Sequence, residues 1–110
     1  MIDWSRVLEL RDEIGADGFS EVVALFLDEV EEAIDLLRDQ PCPADLEQKL
    51  HFLKGSAVSL GFSEFSELCG DGEVAARTGS PADVDVSAVI ASFDASKASF
   101  LDQLSVRLAA

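Results

Sequence analysis

Basic residues are scarce in this chain: 8 Lys and Arg stand against 22 Asp and Glu over 110 residues, for a net charge of −14. So acidic a surface repels phosphate backbones and anionic lipid headgroups, which argues against nucleic acid and membrane surfaces as partners. Long hydrophobic runs are also missing, and Met1 to Arg6 lacks the basic and apolar regions of a secretory leader, so a cytoplasmic protein is expected. There are only two cysteines, and no CxxC pair. Cys42 sits among prolines and Cys69 on an apolar helix face, and both read as reduced thiols. No stretch alternates in the manner of a strand and no internal repeat is visible. A phosphate-binding loop is missing as well: Gln48 and Leu53 stand where the order G-x-x-x-x-G-K-[ST] would need glycines ahead of Lys54 and Ser56. Histidine occurs once, at position 51.

What is present is helix. An apolar content of 48% supports one folded core, and the length predicts a single domain spanning 1–110. Trp4, Val7, Leu8 and Leu10 mark a short first helix from about Asp3 to Ile14, stopped by Gly15. A second helix is expected from an Asp17 cap, with Phe19, Val23, Phe26, Val30, Ala33, Ile34 and Leu37 on its apolar side and a run of acids on the other. Pro41 and Pro43 break it. Pro43 can open a third helix, which then runs to about Leu60 with Gly61 as its left-handed stop. Ser63 is placed as the cap of a fourth, whose apolar side is Phe65, Leu68, Cys69, Gly72, Ala75 and Ala76; Gly70 and Gly72 weaken it by roughly 1 kcal/mol each. After a turn at Thr78 to Pro81, a last helix carries Val86, Val89, Ile90, Phe93, Phe100, Leu101, Leu104 and Leu108. The fold class is all-α, an antiparallel four-helix bundle with a short additional N-terminal helix, because the connections are short.

In the third helix, Leu46, Leu50, Leu53, Ala57 and Leu60 define a buried stripe, and at about 100° per residue His51 points roughly 140° away from its middle. The imidazole should therefore face solvent, with Gly55 beside it and Lys54 at the boundary of the core. An ordinary exposed imidazole, with a pKa near about 6.5, keeps a free lone pair at neutral pH. A solvent-facing glycine in mid-helix costs roughly 1 kcal/mol against alanine and makes sense if another backbone must approach. Lys54, one turn on, can offset the charge of a phosphoryl group on the ring.

The run His51-Phe52-Leu53-Lys54-Gly55-Ser56-Ala57, closed by Leu60-Gly61, resembles the H-x-x-K-G-[SA]-[SA]-x-x-x-G signature of histidine-containing phosphotransfer (HPt) domains. Gly15, Asp17, Phe19 and Phe26 are placed as that family places the start of its second helix, so the resemblance spans nearly the whole chain. It implies a phosphorelay carrier that takes a phosphoryl group from a receiver-domain aspartate, in a hybrid kinase or response regulator, and passes it to another receiver. On this resemblance His51 is the phosphoacceptor, Lys54 stabilises the phosphoryl charge, and Gly55 admits the receiver. Glu73 falls where some members place a polar partner for the histidine, often a glutamine. The chain would be a monomeric phosphotransfer intermediate, not a kinase, with no cofactor of its own and Mg²⁺ on the partner receiver.

Other chemistries fit less well. A metal site pairing His51 with Glu47 falls short of the three or four converging ligands required. A hydrolase using His51 as base lacks a positioned serine or cysteine. The alternative that remains is a docking module for receiver or kinase domains that carries no phosphate; in this reading and in the carrier reading alike, Val58, Phe62 and exposed parts of the first helix are candidate contact residues, and Phe62 has packing at the helix junction as its plainer role.

Overall fold

The computed structural model describes residues 2–40 and 44–108, so the expectations for Pro41, Cys42 and Pro43 fall outside the described residues, as does the side chain of Leu108. Five α-helices follow in order: α1 (Trp4–Ile14), α2 (Ala16–Asp39), α3 (Leu46–Leu60), α4 (Ser63–Thr78) and α5 (Val86–Leu108), with one 3₁₀ turn at Pro81–Asp83. Each of α2 to α5 packs on its chain neighbour, and α2 against α5 closes the ring, which makes the all-α four-helix bundle; α1 lies on α2 and α3. Among the described residues no helix is long and apolar enough to cross a membrane.

Helix starts differ from expectation at two places. Asp3 caps α1 by accepting from the Arg6 amide at 3.3 Å. Gly15, at φ 94°, both ends α1 and caps α2, so Asp17 lies inside the first turn of α2, where its charge complements the helix dipole, and is not the cap. Likewise Phe62 occupies the cap position of α4, and Ser63 is the first helical residue. Asp85 accepts from the Ala88 amide at 3.1 Å and starts α5.

The core stripes follow the sequence periodicity with local exceptions. All five stripe residues of α3 are buried. In α2, Leu27 is buried and Phe26 only partly so. Leu8 of α1 and Leu101 of α5 face solvent, whereas Ser96 is fully buried between Phe93 and Phe100. An aromatic cluster ties the α3–α4 junction to α5: Phe62 lies 5.4 Å from Phe100 and 6.5 Å from Phe93, and Phe65 lies 5.5 Å from Phe93. Trp4 stacks on Phe100 at 5.7 Å.

That junction is also fixed by backbone. Gly61 adopts φ 80°, a left-handed conformation that suits glycine, and its carbonyl accepts from the Asp3 amide at 2.6 Å. A Cβ on Gly61 would lie 2.6 Å from the Asp3 carbonyl oxygen, so no larger residue fits. Beside it Ile2 and Phe62 form an isolated antiparallel bridge. The C-terminal end of α3, and with it the helix bearing His51, is thereby held.

The two α4 glycines have a packing role. A Cβ at Gly72 would lie 3.0 Å from Leu50 and 3.2 Å from Val84, and one at Gly70 would lie 3.4 Å from the Lys54 stem. α4 is continuous through both residues. The helix propensity they forgo is offset by a close α3–α4 approach, which sets the distance between the side chains described next.

Candidate functional site

The buried stripe of α3 turns His51 outward, and its side chain is 72% exposed. Gly55, one turn on, is open: a Cβ there would meet nothing within 4 Å. Phe52 and Val58 are exposed on the same helix. From α4, Glu73 reaches across the close α3–α4 contact. Its Oε1 lies 2.8 Å from Nδ1 of His51 and its Oε2 lies 3.6 Å from Nζ of Lys54. The Glu73 side chain is only 11% exposed, so this carboxylate is sunk beneath the imidazole and not spread on the surface.

Electrostatics settle which way the hydrogen bond runs. The bond from His51, aided by the nearby charge of Lys54, holds the Glu73 carboxyl below the usual carboxylate range against the opposing effect of burial. An ionised carboxylate only accepts, so Nδ1 of His51 carries the proton and donates. In the neutral ring that leaves the lone pair on the other nitrogen, Nε2, of an imidazole that is mostly in solvent. One turn before Glu73, burial and the Glu73 charge push the Cys69 thiol up to about 12, which leaves it a neutral core residue.

The structure thus brings His51, Lys54 and Glu73 together and leaves the space over Gly55 clear. Phe62, considered above as a docking residue, is 1% exposed and belongs to the aromatic core, a correction that follows from its position at the junction of three helices. A surface that sequence reasoning passed over lies on α2, where Leu25 and Leu36 are exposed. Leu25 lines a shallow groove with Val22, Phe26 and Glu29. The signal for it was two leucines at positions of α2 that are off the core stripe, among acids.

An exposed imidazole backed by a carboxylate and flanked by one cation has the arrangement of a nucleophile whose electrophile is supplied from outside. A family model described as the Hpt domain matches residues 21–105, most of the chain. No curated protein and no solved structure matches.

Proposed function

Because the chain belongs to the Hpt domain family, whose members carry phosphoryl groups in two-component signalling, we propose that it is a phosphorelay carrier with His51 as the phosphoacceptor. The group comes from the aspartate of one receiver domain, in a hybrid kinase or response regulator, and goes to the aspartate of another. The observation that carries this reading is the 2.8 Å contact between Nδ1 of His51 and the sunken Glu73 carboxylate, with the ring otherwise in solvent.

In the forward step the Nε2 lone pair attacks phosphorus in line with the aspartyl oxygen. The Nε2–P bond forms, the P–O bond breaks, and its electron pair stays on the departing aspartate carboxylate. No proton has to leave the ring, since Nδ1–H is retained against Glu73. Lys54 offsets charge on the incoming group, and Gly55 gives the receiver room to close the distance. Mg²⁺ chemistry belongs to the receiver. The exposed apolar side chains Phe52 and Val58, on the same helix as the histidine, provide a docking surface. Residues 1–110 act as one domain and as a monomer in this scheme.

The test is incubation with a phosphorylated receiver domain. Wild type takes up label as an acid-labile, base-stable phosphoramidate, and His51→Gln takes up none. Normal labelling of His51→Gln would remove the proposal, and receiver binding without any labelling of the wild type would favour a docking module.

A further inference from the structure

A second concavity opens between α4, the 3₁₀ turn at Pro81–Asp83 and the start of α5. Asp71, on its α4 wall, stands two residues before Glu73 and so points about 160° around the helix from the carboxylate beneath His51. The cleft and the histidine therefore lie on opposite flanks of α4. Its floor is apolar, built by Leu68, Ala75, Val84 and Val89, and its volume is about 210 Å³. At roughly 30 Å³ each, about seven waters fill that space, and those against hydrocarbon are favourably displaced. Val74, one turn on from Asp71, adds an exposed apolar side chain on the outer face of α4.

The rim carries charge of one sign. Asp71, Asp83 and Asp85 line the cleft and no lysine or arginine does. Elsewhere the chain matches acids with its own cations: Arg38 with Asp35 and Asp94, Lys97 with Glu31, Lys49 with Asp45. Among the described residues no ion pair reaches the three aspartates of the cleft. Asp83 accepts from the Ser80 amide at 3.2 Å and Asp85 from the Ala88 amide at 3.1 Å, each through one oxygen, so each keeps a second oxygen for an outside donor.

An apolar floor under three carboxylates suits a side chain that is apolar along its stem and cationic at its tip. Arginine fits best, because its planar fork is weakly hydrated and spreads five donors over more than one carboxylate. A bare cation gains nothing from the floor, and a neutral apolar group gains nothing from the rim. The shallow groove on α2 offers a single carboxylate, Glu29, where this cleft offers three.

We propose that the α4–α5 cleft is a second protein-docking site, and that its occupant is a basic amphipathic segment of a partner protein, with an arginine stem on the apolar floor, its guanidinium among Asp71, Asp83 and Asp85, and a neighbouring apolar residue on Val74. The net charge of −14 draws such a segment in, and the cleft then holds it by shape and pairing. A partner seated here leaves the His51 flank open, so both flanks can be occupied at once. Nothing in this docking requires a phosphoryl group on His51.

The experiment titrates the ¹⁵N-labelled full chain with a short capped peptide of alternating leucine and arginine and follows backbone amide shifts. Saturable shifts are expected at Gly72, Ala75, Val84 and Ala88, with Gly55 unmoved. The same peptide with citrulline in place of arginine should bind about tenfold or more weaker, the loss that goes with a charged hydrogen-bond donor. Arginine amide alone, which has the charge but no apolar neighbour, should also bind about tenfold or more weaker. Ala75→Leu, which fills the floor with a good helix former, should weaken the arginine peptide while leaving circular dichroism unchanged; the wild-type comparisons stand without it. Equal binding of the citrulline peptide would overturn the proposal, as would arginine amide binding as tightly as the peptide, which would leave a small-cation site only. Shifts centred on Val22, Leu25 and Glu29, or unsaturable shifts spread over every acidic helix, would overturn it as well.

Discussion

Three glycines near the site offer a test of how closely α3 and α4 are packed, because the same substitution should give opposite results at different positions. Replacing a helical glycine by alanine gains about 1 kcal/mol from the backbone. At Gly55 the new Cβ meets nothing within 4 Å, so Gly55→Ala should show the whole gain. At Gly70 the nearest atom is Cδ of Lys54 at 3.4 Å, part of a flexible arm, and most of the gain should survive. At Gly72 the Cβ would lie 3.0 Å from Cδ1 of Leu50 and 3.2 Å from Cγ1 of Val84. Leu50 is fully buried, so it cannot swing clear. Overpacking of this kind costs about 1–3 kcal/mol, so Gly72→Ala should range from neutral to about 2 kcal/mol destabilised once about 1 kcal/mol of propensity is credited. Urea unfolding of the three variants, with slopes compared so that the denatured state is held common, measures this directly. The gap between Gly55→Ala and Gly72→Ala corresponds to a melting difference of roughly 4 °C or more for a domain of this size. A Gly72→Ala protein stabilised as much as Gly55→Ala would refute the close α3–α4 approach, and with it the account of how Glu73 comes to lie under the imidazole.

Two further expectations can be checked with simple variants. Gly55→Gln should slow phosphoryl transfer about tenfold or more, equivalent to about 1.4 kcal/mol of lost docking or alignment, while far-UV circular dichroism and melting change little; an unaltered transfer rate would take Gly55 out of the docking surface. Phe62→Ala should cost about 3–5 kcal/mol in urea unfolding, the range for emptying a buried aromatic site; a loss under about 1 kcal/mol would mean that the ring is not part of the core.

The α3 stripe was fully legible because every member, from Leu46 to Leu60, repeats at three- and four-residue spacing, and the same spacing turned His51 outward. Glu73 could be placed by counting from the motif, but its burial and its two contacts could not, since these depend on how near α4 comes to α3. That distance is set by Gly72, which in sequence reads only as a weak helix former. Periodicity also gives the mean direction of a face, not the angle of the neighbouring helix. Phe26 was expected inside and is only partly buried, Leu27 beside it is buried, and Leu101 points to water while Ser96 takes the place between Phe93 and Phe100. Asp17 and Ser63 are good capping residues by type, yet the backbone turns one or two residues earlier, at Gly15 and Phe62. The left-handed Gly15 lets α1 run into α2 with no intervening loop.

The clamp at the end of α3 has a consequence for the order in which the fold assembles. α3 and α4 are joined by only two residues, Gly61 and Phe62, so their mutual contacts are local and close at little entropic cost. The Asp3 amide and Ile2, by contrast, meet that turn across more than half of the chain. Contacts so distant in sequence are expected to close after local ones, with the α3–α4 hairpin forming first and the N-terminal arm fastening it later. The paired surfaces of His51 and Glu73 would then exist early, and the arm would act chiefly on how slowly they come apart.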